Sequence, residues 1–141
     1  METTLEIRCY QTLDQDELIN LWRDCELVKP QNAPVKDITR KQKVDPDLLL
    51  VGVKNNKIIA SVMGGYEGHR GWINYLAVAP DEQKKGYGYQ MMEAIESRLK
   101  DKGCPKINLQ VRTNNTNVLS FYQAIGYCED AVVSLGKRFE V

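Results

Sequence analysis

The sequence predicts an α/β fold of the α+β kind. One domain, residues 1–141, is expected to hold a central mixed, mostly antiparallel sheet flanked by about four helices. Three observations carry that expectation. Two strand-like runs, 48–54 and 57–66, are joined only by Asn55-Asn56, a pair suited to a tight hairpin, and a third run, 72–79, follows a short turn. Helical spacing then fills 88–102 before another strand-like run at 106–111, and a crossover of that length implies a right-handed βαβ unit with parallel pairing. A chain of 141 residues is long enough for one real core.

Residues 5–10 read as a first strand. Asp14 is placed to cap the helix that follows, with Glu17 three residues on as in a capping box. Leu18, Leu21, Trp22 and Cys25 give an amphipathic helix over 14–26. Pro30 and Pro34 bracket Gln31-Asn32-Ala33 in a loop, 27–34, and the polar run 37–43 reads as a short helix. Asp45-Pro46-Asp47 turns the chain into the hairpin, where Gly64-Gly65 marks a bulge or a close backbone approach. Glu67-Gly68-His69-Arg70-Gly71 leads to the strand at 72–79. Met91, Met92, Ile95 and Leu99 stripe the next helix, with Gly103 and Pro105 to end it. Thr113-Asn114-Asn115 caps a last helix bearing Val118, Phe121, Tyr122 and Ile125, and Gly126 stops it. Two closing strands, 127–129 and 132–139, complete the order β-α-α-β-β-β-α-β-α-β-β.

Composition narrows the function. Lys+Arg and Asp+Glu are both 19, so bulk charge does not point to nucleic acid. No apolar run approaches the ~20 residues of a membrane span, and Met1-Glu2-Thr3-Thr4 has no signal-peptide pattern, which points to a cytoplasmic protein. Cys9, Cys25, Cys104 and Cys128 form no C-x-x-C and His69 is the only histidine, so no metal site is expected.

The informative stretch is Gln83-Lys84-Lys85-Gly86-Tyr87-Gly88, between a strand and a helix. The first N–H groups of a helix lack internal partners, the helix dipole is positive there, and glycines let an anion approach the backbone. Such a turn suits phosphate. It is neither a Walker A loop nor a dinucleotide fingerprint, since Met91 stands where the latter needs its third glycine. An unrelated phosphate-binding domain remains open on this stretch alone.

With the element order above, this turn resembles the Q/R-x-x-G-x-G/A hallmark of the GNAT superfamily of acetyl-CoA-dependent N-acetyltransferases. Leu76-Ala77-Val78-Ala79-Pro80 is similar to that family's L-x-V-x-P. Residues 115–127, from Asn115 through Tyr122 to Gly126-Tyr127, resemble its N-x-x-A-x-x-x-Y-x-x-x-G-F/Y segment. Met63-Gly64-Gly65-Tyr66, Gly68-His69-Arg70-Gly71 and Ser134-Leu135-Gly136-Lys137-Arg138 look like the YpeA branch. The resemblance implies a GNAT domain that takes acetyl-CoA as co-substrate and an amine as acceptor. It implies that Gln83, Lys84, Lys85, Gly86, Tyr87 and Gly88 bind the pyrophosphate, that Leu76, Ala77 and Val78 hydrogen-bond pantetheine, that Asn115 contacts the cofactor arm, and that Tyr122 protonates the departing thiolate. Dimers are common in the family, though nothing in these residues establishes one.

A phenol is protonated at neutral pH and can donate to sulfur, and a backbone N–H on a bulged strand can face an oxyanion. One branch, which acetylates the N-terminal alanine of ribosomal proteins, carries a glutamate base where this chain has Gln110. Glu67 is the alternative base by position, or a solvated turn carboxylate, and His69 lies in the same turn. The absent glutamate keeps a second reading open, a non-catalytic acyl-CoA-binding sensor on the same fold.

Overall fold

A computed structural model describes residues 5–30 and 33–140. The expectations for Met1 to Thr4, and for Gln31 and Asn32 within the proline-bracketed loop, lie outside those residues. The chain forms two compact units, one ending at Gln110 and one beginning at Val111.

The first unit is a five-stranded sheet in sequential order: β1 (Glu6–Cys9), β2 (Leu49–Lys54), β3 (Lys57–Tyr66), β4 (Gly71–Val78) and β5 (Ile107–Leu109). The first four are antiparallel neighbours, and β5 joins β4 in parallel. Asn55 and Asn56 both take left-handed φ, 53° and 63°, as a two-residue hairpin turn requires. Helix α1 (Gln15–Asp24) buries Leu18, Leu21 and Trp22 in a cluster with Leu49, Val51, Ile58 and Ala77. Helix α2 (Pro34–Val44) adds Ile38 to it. Helix α3 (Tyr87–Asp101) carries the expected stripe of Met91, Met92, Ile95 and Leu99, all buried. Because side chains alternate across a strand, helices on both faces leave Leu48, Leu49, Leu50 and Val51 without accessible surface.

Several boundaries depart from the sequence expectations. Asp14 precedes α1 but does not cap it. Its carboxylate turns back to accept from the Arg8 guanidinium at 2.7 and 3.0 Å and from the Gln11 N–H at 2.8 Å. Glu17 is drawn to the sheet instead, accepting from the Ile58 N–H at 3.2 Å. Helix α2 is longer than expected, since Pro34 needs no N–H at its first turn. Gly64 is a close approach rather than a bulge: a Cβ there would lie 2.7 Å from Ile95 Cγ1. The bulge falls on β4, where Tyr75 and Leu76 together oppose Val62. Strand β5 is shortened to three residues because its pairing with β4 stops at Ile73–Leu109.

The second unit holds helix α4 (Thr116–Ala124), capped by Asn115, whose side-chain oxygen accepts from the Val118 N–H at 3.3 Å. Gly126, at φ 103°, closes it. The two closing strands do not form among the described residues. Residues 127–140 include no strand, and Val132, Val133, Leu135 and Phe139 are exposed. A strand needs a ladder of partner groups, and within this unit only a helix accompanies them. The class expected from the sequence stands, with five strands in place of seven, and four helices, among the described residues. No helix among the described residues is long and apolar enough to cross a membrane.

Two stability predictions follow from this packing. Gly64→Ala should cost about 1–3 kcal/mol in urea unfolding, because the added methyl meets Ile95. Gly65→Ala, whose Cβ would meet only the end of Lys41 at 3.5 Å, should stay within about 0.5 kcal/mol. Asp14→Asn should cost about 1–2 kcal/mol at pH 7. Arg8 holds the Asp14 carboxyl below its ordinary value. A carboxyl whose folded pKa is depressed adds stability above its unfolded pKa, about 3.9, and loses it as pH falls through the folded pKa. The difference between Asp14 and Asn should therefore vanish in acid unfolding titrations.

Candidate active site

Strand β4 ends at Val78, a 3-10 turn (Pro80–Glu82) follows, and residues 83–86 lead into α3. Lys84 at φ 63° and Gly86 at φ 86° are left-handed on either side of Lys85, a sequence that gathers successive N–H groups into a concave nest. The first bond of α3 runs from the Gln90 N–H to the Gly86 carbonyl at 3.1 Å. Among the described residues no acceptor is recorded for the N–H groups of Lys84 to Tyr89. Lys84, Lys85 and Gly86 are exposed, whereas Tyr87 is buried.

Side chains brace this nest. Gln83 Nε2 donates to the Val78 carbonyl at 3.1 Å, tying the turn to the end of β4. Glu82 bridges Lys54 at 2.9 Å and Lys85 at 3.3 Å, and its carboxyl is held below the usual range first by Lys54. The Lys54 ammonium also stands 5.3 Å from the centroid of the Tyr87 ring. Two lysines on one carboxylate, with the exposed Lys84 and a run of N–H groups in the same turn, favour a ligand with more than one negative charge.

Upstream, Leu76, Ala77 and Val78 form the last turnless stretch of β4 before the nest. Ala77 and Val78 pair with β3 on one side only. Beyond Ile73, no strand among the described residues pairs with β4 on the β5 side. The bulge lies where that pairing ends. Tyr75 takes φ 52° there, a conformation that costs an L residue about 1–2 kcal/mol.

A cleft of about 760 Å³ opens between α2 and the β3–β4 hairpin. Asp37, Arg40, Lys41 and Val44 line it from α2, Met63, Gly65 and Tyr66 from β3, and Trp72, Asn74 and Tyr75 from β4. Leu27, Asp45 and Glu67 complete it. Its carboxylates are all engaged. Asp37 pairs with Arg40 at 3.0 Å and accepts from the Tyr75 hydroxyl at 2.6 Å. Asp45 pairs with Lys41 at 2.6 Å, and Lys41 also donates to the Gly64 carbonyl. Burial, then Asp37, push the Tyr75 phenol well above its ordinary value.

Glu67 is held by its own hairpin turn. One oxygen accepts from the His69 N–H at 3.1 Å and from the Arg70 N–H, and the other from the Trp72 indole at 3.2 Å. The Arg70 N–H is the main cause of a carboxyl below the usual range. His69 is exposed in the same turn. Sequence reasoning missed Asp37, Arg40, Lys41 and Val44, although their i, i+3, i+4, i+7 spacing marks one helix face. It also missed Tyr75, for which a strand pattern carries no signal of a left-handed residue.

In the second unit, Asn115 spends its side-chain oxygen on the helix cap. Tyr122 is buried, with Phe121 and Tyr127 edge-on at 5.1 and 5.7 Å, and burial pushes its phenol up to about 12. Gln110, at the end of the first unit, is exposed. Among the described residues no three His, Cys, Asp or Glu side chains gather as metal ligands.

Comparison with known proteins places this arrangement. Residues 14–127 match the Acetyltransferase (GNAT) family. An acetyltransferase of Yersinia pestis (strain Pestoides F) is 43% identical over 137 residues, spanning 97% of each chain. An aminoglycoside N-acetyltransferase solved with a CoA-linked bisubstrate analogue has the same fold, with a TM-score of 0.79 at 18% identity over 96% of this chain and 99% of that one. So does the PaiA N-acetyltransferase of Thermoplasma acidophilum in complex with coenzyme A, with a TM-score of 0.79 at 18% identity over 92% and 93%. A bulged strand running into a braced N–H nest, with a family match across most of the chain, makes this protein a member of the acetyltransferase (GNAT) family.

Proposed function

We propose that the protein transfers the acetyl group of acetyl-CoA to a primary amine by direct attack. The observation that carries this reading is β4 opening at its bulge and running straight into the nest at 83–88. In this reading the N–H groups of Lys84 to Gly88 receive the pyrophosphate, with Lys84 and Lys85 adding charge. Leu76, Ala77 and Val78 pair with the pantetheine arm as an added strand would, and Asn115 contacts that arm. The solved neighbours bound to coenzyme A or a CoA-linked analogue support this choice of donor.

The cleft beside α2 takes the acceptor. The amine lone pair forms the new C–N bond, the tetrahedral oxyanion collapses, and the C–S bond breaks. Tyr122 gives its proton to the thiolate, and a phenol near 12 stays protonated until that moment. The amine must shed one proton. Glu67 is ionised at neutral pH but weakly basic, with both oxygens committed to its turn. We assign it to holding Trp72 and the cleft wall, and assign the proton to solvent. A non-catalytic acyl-CoA sensor remains the rival reading, favoured only by Gln110 in place of a carboxylate.

Isothermal titration should show acetyl-CoA binding, and thiol release should follow addition of an amine. Absence of binding would overturn both readings, and binding without release to any amine would leave the sensor. Tyr122→Phe should lower kcat by about 100-fold or more while the Kd of acetyl-CoA changes less than about threefold. Equal losses in both would assign Tyr122 to packing.

With no enzyme base, kcat/KM should climb about tenfold per pH unit towards the amine pKa, about 10.4 for a lysine-like acceptor. Glu67→Gln should leave that slope unchanged. A plateau between pH 6 and 8 that disappears in Glu67→Gln would restore Glu67 as the base.

A further inference from the structure

Ser61 is a polar residue in the middle of β3, and it has no accessible surface. Its hydroxyl is fully used. The indole Nε1–H of Trp22, on α1, donates to Ser61 Oγ at 2.9 Å, and Ser61 Oγ donates to the backbone carbonyl of Tyr75 at 2.8 Å. The direction is forced, because an indole N–H can only donate and a carbonyl can only accept. The same Trp22 stacks on the Tyr75 ring, with centroids 3.9 Å apart and planes 15° apart. The Tyr75 hydroxyl meets Asp37 at 2.6 Å. Tyr75 is thus held by its ring, its hydroxyl and its carbonyl while its backbone sits at φ 52°.

The carbonyl contact has a consequence one bond further on. A trans peptide is planar, so its C=O and N–H point in opposite directions. Fixing the Tyr75 carbonyl on Ser61 therefore fixes the direction of the Leu76 N–H, at the bulge where β4 has lost its β5 neighbour. We propose that Ser61 and Trp22 are positioning residues, which lock the Tyr75–Leu76 peptide so that its N–H is aimed in advance at the thioester oxygen. This rests on the acetyl-transfer reading above. Neither side chain touches the reacting atoms. Their contribution is that the donor need not reorient as charge develops on oxygen, which is where such preorganised donors act.

The test compares Ser61→Ala, which removes both hydrogen bonds, with Ser61→Cys and with Trp22→Phe, which keeps a stacked ring but no N–H. Well below each variant's Tm, Ser61→Ala should lower kcat about 10- to 100-fold with the Kd of acetyl-CoA within about threefold, and Ser61→Cys should recover part of the loss. Should Ser61→Ala fail to fold, Trp22→Phe, which keeps the Ser61 hydroxyl on the Tyr75 carbonyl but removes the N–H that orients it, should still lower kcat at least about threefold with the Kd of acetyl-CoA within about threefold. Unchanged kcat, or kcat and acetyl-CoA affinity lost in equal measure, would overturn the proposal. NMR of the free protein gives a readout independent of turnover: the Leu76 amide should shift and exchange at least about tenfold faster in Ser61→Ala. If the wild type transfers acetyl to no amine while that amide responds, the lock stands and the acetyl-transfer reading fails. An unmoved Leu76 amide would overturn the lock itself.

Discussion

A strand edge offers one row of hydrogen-bonding groups, and it can serve one partner at a time. Strand β4 divides its edge between two uses. Gly71 to Ile73 are spent on β5, and from the bulge onward the remaining residues pair only with β3. The two-against-one count at Tyr75–Leu76 bends β4 away from its neighbour without breaking the sheet. A full-length β5 would close the edge and leave no place for an extended ligand arm. The bulge thus determines the length of β5, the opening beside it and the line along which β4 reaches the nest.

The strain at Tyr75 is offset by a core built to hold it. Trp22 contributes stacking area and a buried N–H, and Ser61 converts that N–H into a contact with the bulged backbone. Elsewhere the sheet is fastened by shape: Gly64 lets α3 sit against β3 with Ile95 in van der Waals contact, and Gly52 leaves room for Met91. These two faces work differently. The α3 face is apolar and close-packed, and it fixes the sheet. The α1 face also carries a polar relay, from Trp22 through Ser61 to the Tyr75 carbonyl.

Much of this was legible in the residues. The Asn55-Asn56 hairpin, the stripe from Met91 to Leu99, and the basic glycine turn each depend on local chemistry, and local chemistry is what a sequence displays. Asp14 shows the limit. Its spacing to Glu17 matched a capping box, but Arg8 lay across the β1–α1 connection and offered a charged partner that a backbone N–H could not match. Gly64-Gly65 read as a bulge or a close approach, and Gly64 is the close approach, while the bulge occurs at an aromatic residue held by contacts from α1 and α2. The closing strands expected at 127–129 and 132–139 do not form among the described residues, because a local run of residues does not supply a partner edge.

The same contrast separates donor from acceptor. The contacts proposed for a pyrophosphate are backbone N–H groups, and those depend on a few glycines and a helix start, so the turn at 83–88 could be read directly. The cleft proposed for the acceptor is made of side chains drawn together from α2, β3 and β4, and its charges are already matched in pairs. A cleft with no uncommitted carboxylate has little general-base chemistry to offer. On the acetyl-transfer reading proposed above, rate enhancement would come from holding a neutral amine against a carbonyl polarised by fixed backbone donors. Effective molarities of well-oriented reactants reach about 10⁵ M or more, so orientation alone can supply several kcal/mol of the barrier. On that reading, Gln110 in place of a glutamate removes one proton acceptor and leaves orientation as the main contribution of the site.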